Sequence, residues 1–176
     1  MRIDELVEKD KSFDKATFIT KANNIIKKIY NSITLNELEN IKHFMTEDLY
    51  KKFEKEIIDA TNNNTRLFYD EVNVVSDIDR IEEIDSNYVI YVKTTSKYLK
   101  YYLSLSNGNL VSGDMNNRRT VSNTYIFKKK TNASVTSNHK CPGCGSNINI
   151  NDNGKCSYCG TSYNLEEHDY ILTNIL

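Results

Sequence analysis

The chain has 176 residues, 39% of them hydrophobic and 27% charged, with a formal net charge of −1. That is room for one medium domain and a small one, in the composition range of globular proteins. No apolar run approaches the ~20 residues that cross a bilayer as a helix, so no helical membrane span is expected.

Residues 1–12 read as a polar segment. The mixed charge from Met1 to Lys11 is not the pattern of a signal sequence or a membrane anchor. From Phe13 the apolar residues Phe18, Ala22, Ile25, Ile29 and Ile33 recur at helical spacing. Ser12 is the expected cap of that helix, with Asp14 favourable in its first turn. Thr34-Leu35-Asn36-Glu37 has the capping-box pattern and predicts a second, short helix with Leu35, Leu38 and Ile41 on its apolar edge. Thr46-Glu47-Asp48 opens a third helix, whose buried stripe is Leu49, Phe53 and Ile57. It ends before the loop signal Asn62-Asn63-Asn64.

After Arg66 the period changes to two. Val72, Val74 and Ile78 mark a strand that continues toward Ile84, and Asp85-Ser86-Asn87 is a turn. Tyr88 to Leu105 predicts one long bent strand or two. Leu99, Tyr101, Leu103 and Leu105 share one face of it, and Tyr98, Lys100 and Tyr102 the other. Asn107-Gly108 is a hairpin signal, Leu110 and Val111 begin the return, and Val121 to Lys129 is read as the last strand. Helices first and antiparallel strands later indicate an α+β class with helices on one face of the sheet.

Residues 131–140 are polar and read as a linker. Cys141-Pro142-Gly143-Cys144 and Cys156-Ser157-Tyr158-Cys159 follow, the only cysteines in the chain, each pair trailed by a glycine. Two thiolates two residues apart can face one ion when the chain between them turns tightly. Two such knuckles predict one structural zinc held by Cys141, Cys144, Cys156 and Cys159, with no open position for chemistry. A redox C-x-x-C needs a βαβ setting that neither copy has, and two disulfides would suit a secreted protein. His139 and His168 flank the site and are surplus to it. Ile148 and Ile150 alternate with asparagines ahead of the turn Asp152-Asn153-Gly154, the pattern of a zinc ribbon over residues 141–176. The ending, Tyr170-Ile171-Leu172 with Ile175-Leu176, is apolar and is expected to dock onto the ribbon or the main domain.

The order of these pieces resembles the bacterial Tim-forty-four-like (Tim44-like) proteins, relatives of the C-terminal domain of the mitochondrial import-motor scaffold. The resemblance runs from Phe13 through Thr34-Leu35-Asn36-Glu37-Leu38 and Thr46-Glu47-Asp48-Leu49 to Tyr125-Ile126-Phe127-Lys128. It takes in the two knuckles and the Tyr170-Ile171-Leu172 ending. It implies a cone of the nuclear-transport-factor-two superfamily over residues 13–130, with helices wrapped by a curved antiparallel sheet. It also implies a binding or scaffold role on membranes or in protein assemblies. Many bacterial members carry a membrane-spanning region, which this chain does not show.

That superfold also hosts enzymes, so function must be argued from a site. His43 reads as a structural or exposed histidine. Asp77, Asp79, Glu82 and Glu83 read as a solvated acidic edge rather than a catalytic cluster. No phosphate-cradling glycine loop or nucleophile motif is present, and the expectation is a non-catalytic protein. Charge is uneven: residues 1–92 sum to −6, 93–140 to +8 and 141–176 to −3. Arg118, Arg119, Lys128, Lys129 and Lys130 are therefore the candidate contacts for a protein partner or an anionic lipid surface. Nucleic acid is an alternative partner, with Tyr98 and Tyr102 as stacking platforms, but the net-negative cysteine unit argues against it. A small ligand inside the cone is a further alternative. Reduced cysteines without an export signal point to the cytoplasm, peripheral to a membrane if lipid is the partner.

Overall fold

A computed structural model describes residues 1–133, 156, 159–160 and 169–176 of the chain. Three α-helices and a 3-10 helix precede an antiparallel sheet, so the class is α+β as expected.

Helix α1, Ile3–Lys9, forms inside the segment read as merely polar. Its one buried residue is Leu6, 0% exposed, with Ile3 partly buried against the same core. The amino group of Met1 donates to the Ile81 carbonyl at 3.0 Å, and Lys9 pairs with Glu83 at 2.6 Å. Helix α2, Lys15–Leu35, buries the expected stripe of Phe18, Ala22, Ile25, Ile29 and Ile33, and Ile26 and Tyr30 with it. Its cap is Asp14, whose carboxylate accepts from the Thr17 N–H at 2.7 Å, and not Ser12.

The capping box at Thr34 does not start a helix. Helix α2 runs through Thr34 and stops where Asn36 takes the left-handed conformation, φ 57°, with Glu37 N–H donating to the Ser32 carbonyl at 2.8 Å. The Thr34 hydroxyl accepts from Tyr69 N–H at 2.8 Å and donates to the Tyr69 carbonyl at 3.1 Å, so it completes a strand edge instead of a helix start. A 3-10 helix, Leu38–Phe44, follows and buries Leu38 and Ile41, whereas Leu35 is 58% exposed. Helix α3, Glu47–Asn62, begins after Thr46 and buries Leu49, Tyr50, Phe53 and Ala60.

Strands β1 (Thr65–Ile84), β2 (Asn87–Ser104), β3 (Leu110–Lys130) and β4 (Ile171–Ile175) form one sheet in the order β1-β2-β3-β4. Asp85 and Ser86 join β1 to β2 with φ of 49° and 60°, the two positive angles that a tight hairpin with the strands' own twist requires. The regions read as a return at Leu110 and a last strand from Val121 are one strand. Between them lies an excursion: Lys100 faces Asp114 and Tyr98 faces Arg119, so β3 carries extra residues opposite Leu99. Asp114 closes it by accepting from the N–H groups of Asn116 and Asn117 at 2.7 and 2.8 Å. Gly113 opens it at φ 87°, where a Cβ would lie 2.3 Å from the Lys100 carbonyl oxygen.

The apolar ending takes one of its two expected places, the main domain. Strand β4 pairs with β3 from Lys128 to Tyr125, and Met45 bridges Leu172 from the other side. Phe13, Phe18, Phe127 and Tyr170 pack edge-on or tilted with ring centroids 5.3–6.0 Å apart. At the other end of α2, Tyr30, Tyr69 and Tyr98 form a second aromatic group at 4.9–5.1 Å.

Beside the first group sits a buried ion pair. Lys129 donates to Asp10 at 2.7 Å and to the Ser12 hydroxyl at 2.8 Å, with side-chain exposures of 2% for Lys129 and 7% for Asp10. Asp10 also accepts from the Ser12 hydroxyl at 2.6 Å and the Tyr170 hydroxyl at 3.0 Å. Burial alone would raise the Asp10 carboxyl; the bonds from Lys129 and Ser12 outweigh it and hold the group below its ordinary value. Lys129 is therefore not a surface contact, contrary to its reading as part of a basic patch. Lys129→Met should cost about 3–5 kcal/mol in urea unfolding, because it strands a buried carboxylate. Lys128→Glu should stay within about 0.5 kcal/mol. A depressed folded-state pKa stabilises above the unfolded value of about 4 and is lost as pH falls through the folded one. Acid titration of stability should therefore show a loss below about pH 4 that is smaller in Asp10→Asn.

Candidate interaction surface

Strand alternation separates the five basic residues singled out in the sequence. Lys128 and Lys130 are exposed on one face of β3, and Lys129 points to the other. Arg118 and Arg119 are exposed at the far end, ten and nine residues from Lys128, roughly 30 Å along an extended strand. The five do not make one patch. On the outer face the gap is bridged by two lysines of β2 that the sequence reading did not single out. Lys93 lies opposite Thr124 and Lys97 opposite Thr120, both exposed. The signal for them was the four-residue spacing in Lys93-Thr94-Thr95-Ser96-Lys97, which puts both on one face of a strand.

The result is a basic stripe, Lys93–Lys97–Arg118, set among the hydroxyls of Thr95, Thr120 and Ser122, with Lys128 further along the same face beyond the buried Ile126. Arg118 donates to the Lys97 carbonyl at 3.2 Å. Arg119 faces inward, where its charge acts on Tyr98 and Tyr102. Burial still dominates for Tyr98 and pushes its hydroxyl up to about 12. Among the described residues the stripe cations make no ion pair. The acidic edge on β1 behaves oppositely. Asp77 pairs with Lys15 at 2.8 Å, Asp79 and Glu82 with Arg80 at 3.7 and 3.2 Å, and Glu83 with Lys9. That is the solvated edge expected, with its charges satisfied locally.

Two cavities flank the turn from α3 into β1. One, about 420 Å³, is lined mainly by Ile33, Leu35, Ile57, Leu67 and Leu105. The other, about 540 Å³, lies between Glu56 and Asp59 of α3 and Lys100 and Tyr102 of β2. Desolvation raises the Glu56 carboxyl; Lys100 and the Tyr69 hydroxyl, 3.4 Å away, oppose this. Among the described residues no nucleophile–base pair is assembled there. His43 belongs to the 3-10 helix, its ring 3.9 Å from that of Phe44.

Of the cysteines, Cys156 is buried and Cys159 exposed. The Gly160 N–H donates to the Cys156 carbonyl at 2.9 Å, and Gly160 has φ 74°. Cys141, Cys144, His139 and His168 lie outside the described residues.

No curated protein matches the chain. Among solved structures, the intermembrane-space region of the chloroplast protein ARC6 is similar at 12% identity and a TM-score of 0.37, over 62% of this chain and 82% of that one; a likeness of that size carries no argument here. Residues 1–140, from α1 through β3 and its polar continuation, match the Tim44-like domain, and the chain belongs to that family.

Proposed function

We propose that the protein is a non-catalytic scaffold whose basic stripe holds an acidic protein partner. The observation that carries this is the contrast in charge pairing. Every carboxylate of the β1 edge cluster has a local cation, while Lys93, Lys97, Arg118 and Lys128 face outward together with no ion pair among the described residues. Uncompensated like charges on one sheet face repel one another and favour association with an anionic surface. Family membership supports the scaffold role, and the groove beside α3 suits the nuclear-transport-factor-two-like cone that the resemblance implied. An anionic membrane would meet the same stripe, and no described helix is long and apolar enough to cross a bilayer. Charge reversal at Lys93, Lys97 and Lys128 should cut partner capture from the native cell about tenfold at low salt with little change in melting temperature. Undiminished capture would remove the stripe from the account. Retention on phosphatidylserine vesicles without any captured protein would move the reading to a membrane surface.

We also propose that Cys141, Cys144, Cys156 and Cys159 hold one structural zinc. The spacing supports it, and so does the turn at the second pair. The Gly160 N–H bond to the Cys156 carbonyl, with a left-handed glycine, supports a tight turn of the kind that lets two thiolates face one ion. Purified protein should carry about one zinc per chain, lost in Cys141→Ser and in Cys156→Ser alike. Metal-free protein with two disulfides would refute the site.

A further inference from the structure

The geometry points to a binding site for a zwitterionic small molecule, an amino acid with an apolar side chain, in the cavity between α3 and β2. Glu56 holds its ammonium there and Lys100 its carboxylate. The site is independent of the basic stripe, which lies on the other face of the sheet. Glu56, Ala60 and Asn63 recur at helical spacing and form one wall, at the end of α3. Lys100 and Tyr102 stand two residues apart on β2 and share the opposite wall. Register sets Lys100 against Tyr69 of β1 and Tyr102 against Ser112 of β3. The volume between the walls, about 540 Å³, is in the range of small-molecule sites.

Tyr69, which is buried, stands between the two charges. Its hydroxyl meets Glu56 at 3.4 Å, and its ring centre lies 5.3 Å from the Lys100 ammonium. Lys100 is near enough to act on the Glu56 carboxyl, yet the two make no ion pair. Elsewhere facing charges close to contact, as Lys15 with Asp77 at 2.8 Å and Lys9 with Glu83 at 2.6 Å. The other polar side chains beside Glu56 are spent inside the protein. Asp59 pairs with Lys55 at 2.5 Å, and the Asn63 amide donates to the Asp59 carbonyl at 3.0 Å. The Thr65 hydroxyl donates to the Ala60 carbonyl at 2.8 Å. Among the described residues, Glu56 and Lys100 are thus the one acid and the one base of the lining left without an opposite charge.

A carboxylate and an ammonium held apart on facing walls are complementary to a molecule that carries the reverse pair on its own frame. A simple cation would leave Lys100 unmatched, and a simple anion would leave Glu56 so; a zwitterion serves both with charge-assisted hydrogen bonds. Asp59 is already neutralised, so no charge remains for a third ionised group on the ligand. The Tyr102 ring and the exposed Val111 give an apolar side chain its surface.

The probes are L-phenylalanine and L-leucine at millimolar concentration with the full chain, each beside its deaminated acid and its decarboxylated amine, read by the amide chemical shifts of Lys100 and Tyr102. At least one amino acid should bind, and its acid and amine counterparts should each bind about tenfold more weakly. Glu56→Gln should weaken the amino acid about tenfold and leave the deaminated acid unchanged. Lys100→Gln should weaken the amino acid to the same degree and leave the amine unchanged. The response each variant retains shows that its cavity is intact. The proposal falls if neither amino acid shifts these amides, or if a counterpart lacking one charge binds as tightly as the amino acid. It falls too if either variant binds the amino acid like wild type, or if both variants weaken all three ligands alike.

Discussion

Burying an ammonium and a carboxylate together costs several kcal/mol per ion and is tolerated only when each is fully bonded. Here Lys129 reaches Asp10 and Ser12, and Asp10 takes further bonds from Ser12 and from the Tyr170 hydroxyl. The three segments concerned are far apart in sequence: the link between α1 and α2, the end of β3, and the residue before β4. Loss of either of the first two leaves a charge stranded, and loss of Tyr170 removes one hydrogen bond from the buried Asp10 carboxylate. Phe13, Phe18, Phe127 and Tyr170 pack together, and the Lys129 ammonium stands 5.3 Å from the centre of the Tyr170 ring. The pair also fixes the face of β3: with Lys129 turned inward, Lys128 and Lys130 must face outward. The charge pattern of the outer surface thus depends on an interaction in the interior.

Most elements were legible because they rest on period alone. The α2 stripe, the start of α3, the Asp85-Ser86 turn and the long β2 strand follow from apolar spacing and turn chemistry. The misreadings share a different cause. Thr34 has the sequence of a helix cap, but its hydroxyl meets the main chain of Tyr69, a partner 35 residues away that no local pattern encodes. Leu6 lies with Ile3 and Val7 in a short charged segment with no sustained apolar period, and only the tertiary fold selects Leu6 for full burial. Lys129 sits in a run of three lysines that reads as surface; only a distant Asp10 makes its burial possible. The break within β3 looked like a strand end because glycine, aspartate and two asparagines also make turns, which they do here, inside a continuing strand.

The candidate surface was legible in sign but not in shape. Net charge located positive residues between 93 and 130, and strand alternation then sorted them into an outward stripe, an inward Arg119 and a buried Lys129. Asp77, Asp79, Glu82 and Glu83 of β1 pair with Lys15, Arg80 and Lys9, and charges of this kind protect that margin of the sheet.

The account turns on Asp10 and Lys129 acting as one unit that ties both ends of the chain to β3. The most direct test is a double-mutant cycle of Asp10→Ala and Lys129→Met, read by urea unfolding and by exchange protection of β4 amides. The account predicts that each single change weakens both readouts and that the double mutant recovers about 2 kcal/mol or more relative to their sum. Additive effects, or single mutants whose β4 protection is unchanged, would contradict it.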